Sequence, residues 1–215
     1  MSSNLNLTDI LFNLFNLMGS EWVLWLLLVL SIISIGIVFE RSRNLRRQEK
    51  VGNLLWKEKI DPWMKNGIID HKPEEIQEIV LKYPCLESGL LEFLYNSPKK
   101  EKENLTLFMS SFLARKKIEL DRHLSFLGTL GANSPFIGLF GTILGIIKAF
   151  YDIGNNVAGE GAKSISVGLS EALVATAVGL LVAIPAVIFF NLYQRKIKTI
   201  IARAESLGDY IIGIR

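Results

Sequence analysis

Glu171 is the residue whose chemistry most needs explaining. It lies in GLSEALVATAVGLLVAIPAVIFF, residues 168–190, a stretch long enough to cross a bilayer and carrying no other ionisable group. A carboxylate at the centre of a span costs about 2.5–3.5 kcal/mol on insertion scales. Two roles would justify it. A protonated carboxyl can hydrogen-bond a neighbouring helix, because desolvation favours the neutral form. Alternatively, the group faces a wet or intersubunit cavity and takes up and releases a cation. Thr142 and Thr176 are the other polar groups that matter, although a threonine in a span often only bonds the carbonyl one turn back. At 3.6 residues per turn, Glu171 and Thr176 lie about 140° apart. Either both line a broad lumen or a bent helix, or one of them faces another span.

These residues must be positioned by membrane helices. Half of the 215 residues are hydrophobic, yet 45 are Lys, Arg, Asp or Glu. The charges are segregated: Arg41 to Arg122 holds 17 basic and 13 acidic residues. Three segments can cross a bilayer: Trp22 to Phe39, about Leu124 to Tyr151, and the stretch around Glu171. Trp22 and Trp25 open the first, where interfacial aromatics are favoured. The expected fold is an all-α integral membrane protein. Its organisation is an interfacial amphipathic helix over 1–20, spans at 21–40, 122–151 and 164–190, a helical insertion over 41–121, a hairpin over 152–163 and a terminal helix over 191–215.

Basic residues set the orientation. None precedes the first span, 17 lie between the first two, and five follow the third. The insertion and C-terminus are therefore expected in the cytoplasm, with the N-terminus and the 152–163 hairpin periplasmic. The clusters Arg41-Arg43-Arg46-Arg47 and Arg115-Lys116-Lys117 sit near membrane ends and agree. Residues 2–20 have no basic n-region, which makes a poor secretory signal. Their polar residues recur every three or four positions, as in a helix lying in the outer interface.

Small residues mark the helix contacts. Gly128, Gly131, Pro135, Gly138, Thr142, Gly145 and Ala149 recur every three or four positions in span two, with Gly141 alongside. Gly168, Ala172, Ala175, Gly179, Ala183 and Ala186 do nearly the same in span three. Helices in lipid associate where small side chains let backbones approach. Spacing does not tell whether the partner helix belongs to the same chain. Pro135 and Pro185 each free a carbonyl one turn earlier that must find another partner inside the membrane, the simpler reading of each being a structural kink. Lys148 is expected to snorkel and pair with Asp152 one turn on.

Four prolines divide the insertion into short helices, one starting at Pro73 and one placing Leu86, Leu90, Leu91 and Leu94 on a single face. From Lys99 onward no breaker appears, and one unbroken helix is expected to become span two. The insertion's carboxylates read as solvated helix faces. It carries no phosphate-binding loop, zinc-protease, nucleophile-elbow or CxxC motif. No enzymatic activity and no cofactor are expected. His71 and His123 are isolated, so no metal site is expected. Cys85 is the only cysteine, which excludes an intrachain disulfide. The net charge of +3 is too small and too interleaved to indicate nucleic acid.

GLFGTILGIIKAF (138–150) and GLSEALVATAVGLLVAIPAVIFFN (168–191) resemble the second and third spans of ExbB and TolQ, of the MotA/TolQ/ExbB proton-channel family. The three-span topology with a large insertion is similar too; Leu144 stands where the family often has Trp. The resemblance implies a pentamer in the bacterial inner membrane. It also implies a smaller single-span partner of ExbD or TolR type that brings an Asp into the central pore. Glu171, Thr142 and Thr176 would line the inner face near that Asp. Ion flow would then drive an envelope process through a TonB- or TolA-type protein. A structural scaffold, in which Glu171 only joins helices, is the alternative; a solute transporter would require inverted repeats that are not visible.

Overall fold

Long uncharged runs leave the backbone little choice in lipid except the helix, where every amide is satisfied internally. The computed structural model describes residues 20–66, 73–97, 102–155 and 161–214, and these are helical almost throughout, without strands. Helix α1 spans Glu21–Leu55 and passes through a π-helical turn, Trp56–Ile60, into α2, Asp61–Asn66. Then follow α3 (Pro73–Lys82), α4 (Leu86–Asn96), α5 (Lys102–Asp121), α6 (Leu124–Asn155) and α7 (Gly161–Ile214). Three helices are long and apolar enough to cross a membrane. The helix expected over 1–20 lies almost wholly outside the described residues, as does the centre of the 152–163 hairpin.

The chain forms two compact units. The first contains residues up to Ile37 and Ser125–Phe190. Within it, Val23 and Leu27 of α1 are buried with Leu144 of α6, and Trp22, Ile137 and Val178 pack against them. Large apolar side chains point outward, among them Trp25, Ile35, Phe136, Phe150 and Leu181. An apolar exterior around a small-residue interior is the signature of a lipid-facing bundle.

The small-residue stripes meet each other inside this chain. A Cβ on Gly138 would lie 2.7 Å from the Ala175 carbonyl and 3.2 Å from Gly179 Cα. One on Gly179 would lie 2.6 Å from the Ser134 carbonyl. Gly141 fits against Ala175 and Val23, and Gly145 against Ala172. Pro135 lies within α6 and is partly buried; Pro185 lies within α7 and is exposed.

The second unit contains Val38–Leu124 and Asn191–Arg215. Its core is Leu55, Ile60, Ile79, Tyr83, Cys85, Leu91 and Leu207. Leu86, Leu90, Leu91 and Leu94 are all buried, as their spacing predicts. On α7, Ile197, Ile200, Ala204 and Leu207 form the inward stripe, and the Tyr193 hydroxyl donates to the Val38 carbonyl at 2.8 Å. Pro62 removes an amide and displaces the carbonyl one turn earlier. The π-helical turn accommodates this, with the Asp61 amide donating to the Trp56 carbonyl.

Two expectations for this unit fail. The helix leading to span two is broken at Arg122–His123, because His123 adopts φ 64° and ends α5. The left-handed region stops helices, and His enters it more readily than most residues. Nor are all the carboxylates solvated: Glu87 is 0% exposed. The Arg203 Nη2 atom lies 3.2 Å from its Oε1 without hydrogen-bond alignment, while Arg203 donates from Nη1 to Asn53. Gly52 makes the room, since a Cβ there would sit 2.8 Å from Glu87 Oε1. Burial pushes the Glu87 carboxyl above its usual range, and Arg203 opposes the shift. Burial, assisted by Glu87, also raises the Cys85 thiol to about 11.

Two outcomes are expected from this packing. Gly138→Ala forces two backbones apart and lowers stability by about 1–3 kcal/mol, as overpacking does. Gly36→Ala, where nothing lies within 4 Å, serves as the neutral control in thermal unfolding in detergent. Arg203→Met leaves Glu87 buried without its counter-charge, at a loss of about 3 kcal/mol at pH 7. Because burial holds the folded carboxyl above the usual glutamate range, the penalty for ionised Glu87 is full at high pH. It disappears as pH falls through the raised folded pKa toward the ordinary glutamate range. The variant's deficit therefore shrinks between pH 7 and pH 5, measured by unfolding at both.

Candidate functional site: an intramembrane carboxylate beside a close-packed helix pair

The stripe Ala172–Ala175–Gly179 fixes the rotation of α7 against α6. One residue advances an α-helix by about 100°, so Glu171 is turned away from the seam. Its side chain is exposed on the outer surface of the first unit, and it makes no ion pair or hydrogen bond among the described residues. Thr176 goes the other way. Its Cα lies 3.0 Å from where a Gly138 Cβ would be, and its hydroxyl oxygen is buried with no hydrogen-bond partner among the described residues. The single chain therefore separates the two groups, one on the seam and one outside it.

Thr142 lies one turn beyond Gly138 on α6 and is 7% exposed. Its hydroxyl donates to the Leu139 carbonyl at 2.6 Å, the local bond that threonines in helices favour. Of the three, Glu171 is thus a free carboxylate, Thr142 an occupied hydroxyl and Thr176 an orphaned one among the described residues. A buried hydroxyl without a partner is rare and costs stability. Among the described residues no group of three His, Cys, Asp or Glu side chains is placed to hold a metal ion.

Span two contributes polar groups that the reading of its sequence passed over. Ser134 is fully buried and donates to the Leu130 carbonyl at 2.6 Å. Asn133 is exposed, and its amide nitrogen donates to the Thr129 carbonyl at 2.8 Å. An amide within an otherwise apolar run was the available signal. Lys148 is exposed as expected, but it forms no ion pair with Asp152 among the described residues. With Lys N-terminal to its partner, the pair has the weaker orientation, and solvation wins.

The sequence pattern of the MotA/TolQ/ExbB proton channel family matches residues 58–206. The chain belongs to this family. The ExbB-like protein 2 of Helicobacter pylori is 42% identical over 100 residues, 46% of this chain and 66% of that protein. The Tol-Pal system protein TolQ of Pseudomonas aeruginosa is 36% identical over 112 residues, 52% of this chain and 48% of that protein. The biopolymer transport protein ExbB of Aquifex aeolicus is 45% identical over 85 residues, 40% of this chain and 57% of that protein. The chain thus spans about half to two thirds of the length of these curated relatives. Family membership and three apolar helices make it a multi-pass membrane protein of a proton-channel family.

The two threonines differ in what valine would remove. Thr176→Val loses no bond within the chain and relieves a buried unpaired hydroxyl, so stability is retained or rises by about 1 kcal/mol. A fall of more than that in detergent unfolding would mean the hydroxyl is bonded.

Proposed function

We propose that this chain is the stationary, stator-like subunit of an ion-driven motor in the bacterial inner membrane. The observation that carries the reading is Glu171: an intramembrane carboxylate, unpaired within the described residues, on an exposed face of α7. Such groups face a bundle interior, a wet cavity or a partner, because lipid does not solvate them. In the proposed assembly, five copies surround a pore, and Glu171 faces the membrane helix of an ExbD/TolR-type single-span protein. There it acts as an electrostatic and proton-path group; Thr142 and Thr176, which lie at the α6–α7 seam and not beside Glu171 in the single chain, supply hydroxyls to the path only if it reaches that seam. The orphaned Thr176 hydroxyl supports this role better than Thr142, whose proton is already donated to Leu139.

The driving force is adequate. One elementary charge crossing 100 mV releases about 2.3 kcal/mol. Several protons per cycle can rotate or rock central helices, and the partner transmits the force to a TonB/TolA-type protein. No covalent reaction and no cofactor enter this scheme. In this reading the insertion and C-terminus face the cytoplasm and the N-terminus the periplasm, which the distribution of basic residues supports. The relatives' names include both biopolymer transport and the Tol-Pal system, so either process is compatible with the proposal.

Glu171→Gln keeps a hydrogen-bonding amide but cannot carry a proton. With the single-span partner co-purified, it is expected to assemble with unchanged native mass. It should reduce proton-motive-force-dependent envelope transport by at least roughly tenfold, as expected for a functional intramembrane acid. Normal transport by an assembled Gln variant would reduce Glu171 to a helix-joining group and favour the scaffold reading.

A further inference from the structure

The two basic clusters of the sequence are used differently. In the cluster on α5, Lys116 pairs with Glu119 at 2.7 Å and Arg115 lies 3.7 Å from the same carboxylate. On α1, Arg41 is buried, with Nη1 3.4 Å from the Leu120 carbonyl. Beyond it, Arg43, Arg46, Arg47 and Lys50 are all exposed, and none has an acidic partner within 4.0 Å among the described residues. The nearest acids on the same helix are engaged elsewhere. Glu49 pairs with Lys196, and Glu40 lies 3.6 Å from His123.

The four free cations share one face. Relative to Phe39 they lie within about 80° around the helix, at four to eleven residues, or about 6–17 Å along its axis. With Phe39 and Ser42 they line a groove of about 470 Å³. Phe39 closes the apolar run of the first span and is 71% exposed. An aromatic ring at the end of the apolar run, followed within about 12 Å along the helix by three arginines, matches the profile of a phospholipid, chains first and phosphate beyond. Arginine forks match phosphate geometry better than lysine does.

We propose that this face of α1 binds anionic phospholipid headgroups of the leaflet that meets the Phe39 end of the first span. Arg43, Arg46 and Arg47 hold the phosphates, Lys50 adds long-range attraction, and Phe39 packs on the chains. The proposal needs the chain to be in a membrane but is independent of Glu171 and of any motor activity.

The test uses the full-length protein purified in detergent, with native mass spectrometry and competition between phosphatidylglycerol and phosphatidylcholine. Wild type is expected to retain phosphatidylglycerol in preference to phosphatidylcholine. The R43Q/R46Q/R47Q variant should lose affinity about a hundredfold, and R115Q/K116Q/K117Q should retain it. Equal retention by wild type and the α1 variant would overturn the proposal. So would displacement of the lipid by millimolar inorganic phosphate, which would identify a free-anion site. Because removing arginines can disturb insertion, wild type is also crosslinked with a photoactivatable phosphatidylglycerol. Adducts within residues 39–51 uphold the assignment, and adducts confined elsewhere sink it.

Discussion

The approach of α6 to α7 at Gly138 and Gly179 sets the rest of the membrane unit. The two glycines sit so close that a Cβ on either would strike main-chain atoms of the other helix. Water does not drive this contact, since lipid is as apolar as leucine; it rests on dispersion between closely fitted surfaces. Such a fit permits one rotation of each helix about its axis. Ala172 and Ala175 lock that rotation, and Glu171, adjacent in sequence to Ala172, is thereby turned outward. The carboxylate's orientation is decided by glycines and alanines that carry no charge.

This arrangement has an energetic consequence. A helix pair held by backbone contact is difficult to rotate, so Glu171 cannot swing inward to escape lipid. Glu171 lies near the start of its span, where the insertion cost is below the roughly 2.5–3.5 kcal/mol of the centre, and that cost persists until another polar surface covers it. Asn133 on α6 is exposed as well, though its amide is half satisfied by the Thr129 carbonyl. A subunit with uncovered polar groups in its hydrocarbon zone is better suited to association than to isolation. That supports the oligomeric reading on grounds separate from sequence similarity.

Features governed by local periodicity were legible in the sequence. The three apolar helices, the start of α3 at Pro73 and the buried leucines of α4 follow from run length, proline placement and 3.6-residue spacing. The small-residue stripes announced close packing, but only the three-dimensional fold could say that α6 and α7 of one chain satisfy each other. What escaped were features set by residues distant in sequence. Glu87 looks like any solvated helix acid until Gly52 and Arg203, 35 positions before and 116 after, close around it. The break at His123 had no glycine or proline to announce it. The 140° between Glu171 and Thr176 was computable, whereas which of them faced α6 depended on the register of the glycine seam.

The buried Glu87–Arg203 contact is also informative about what the second unit requires. A hydrophobic pair of similar volume would often be as stable or more so, because two desolvated charges recover only part of their hydration. Here the contact is not aligned as a hydrogen bond, and both Glu87 oxygens lack a hydrogen-bond donor among the described residues, so its net contribution to stability is small. Its effect is on specificity. The pair can form only when α1 presents Gly52, α4 presents Glu87 and α7 presents Arg203 at one point, so it admits one register among three helices. Leucine and isoleucine contacts slide by a turn with little penalty, and a misplaced buried charge does not. In a unit whose core is otherwise mostly aliphatic and aromatic, one ion pair that is expensive to misplace favours a single register of α7 relative to α1 and α4.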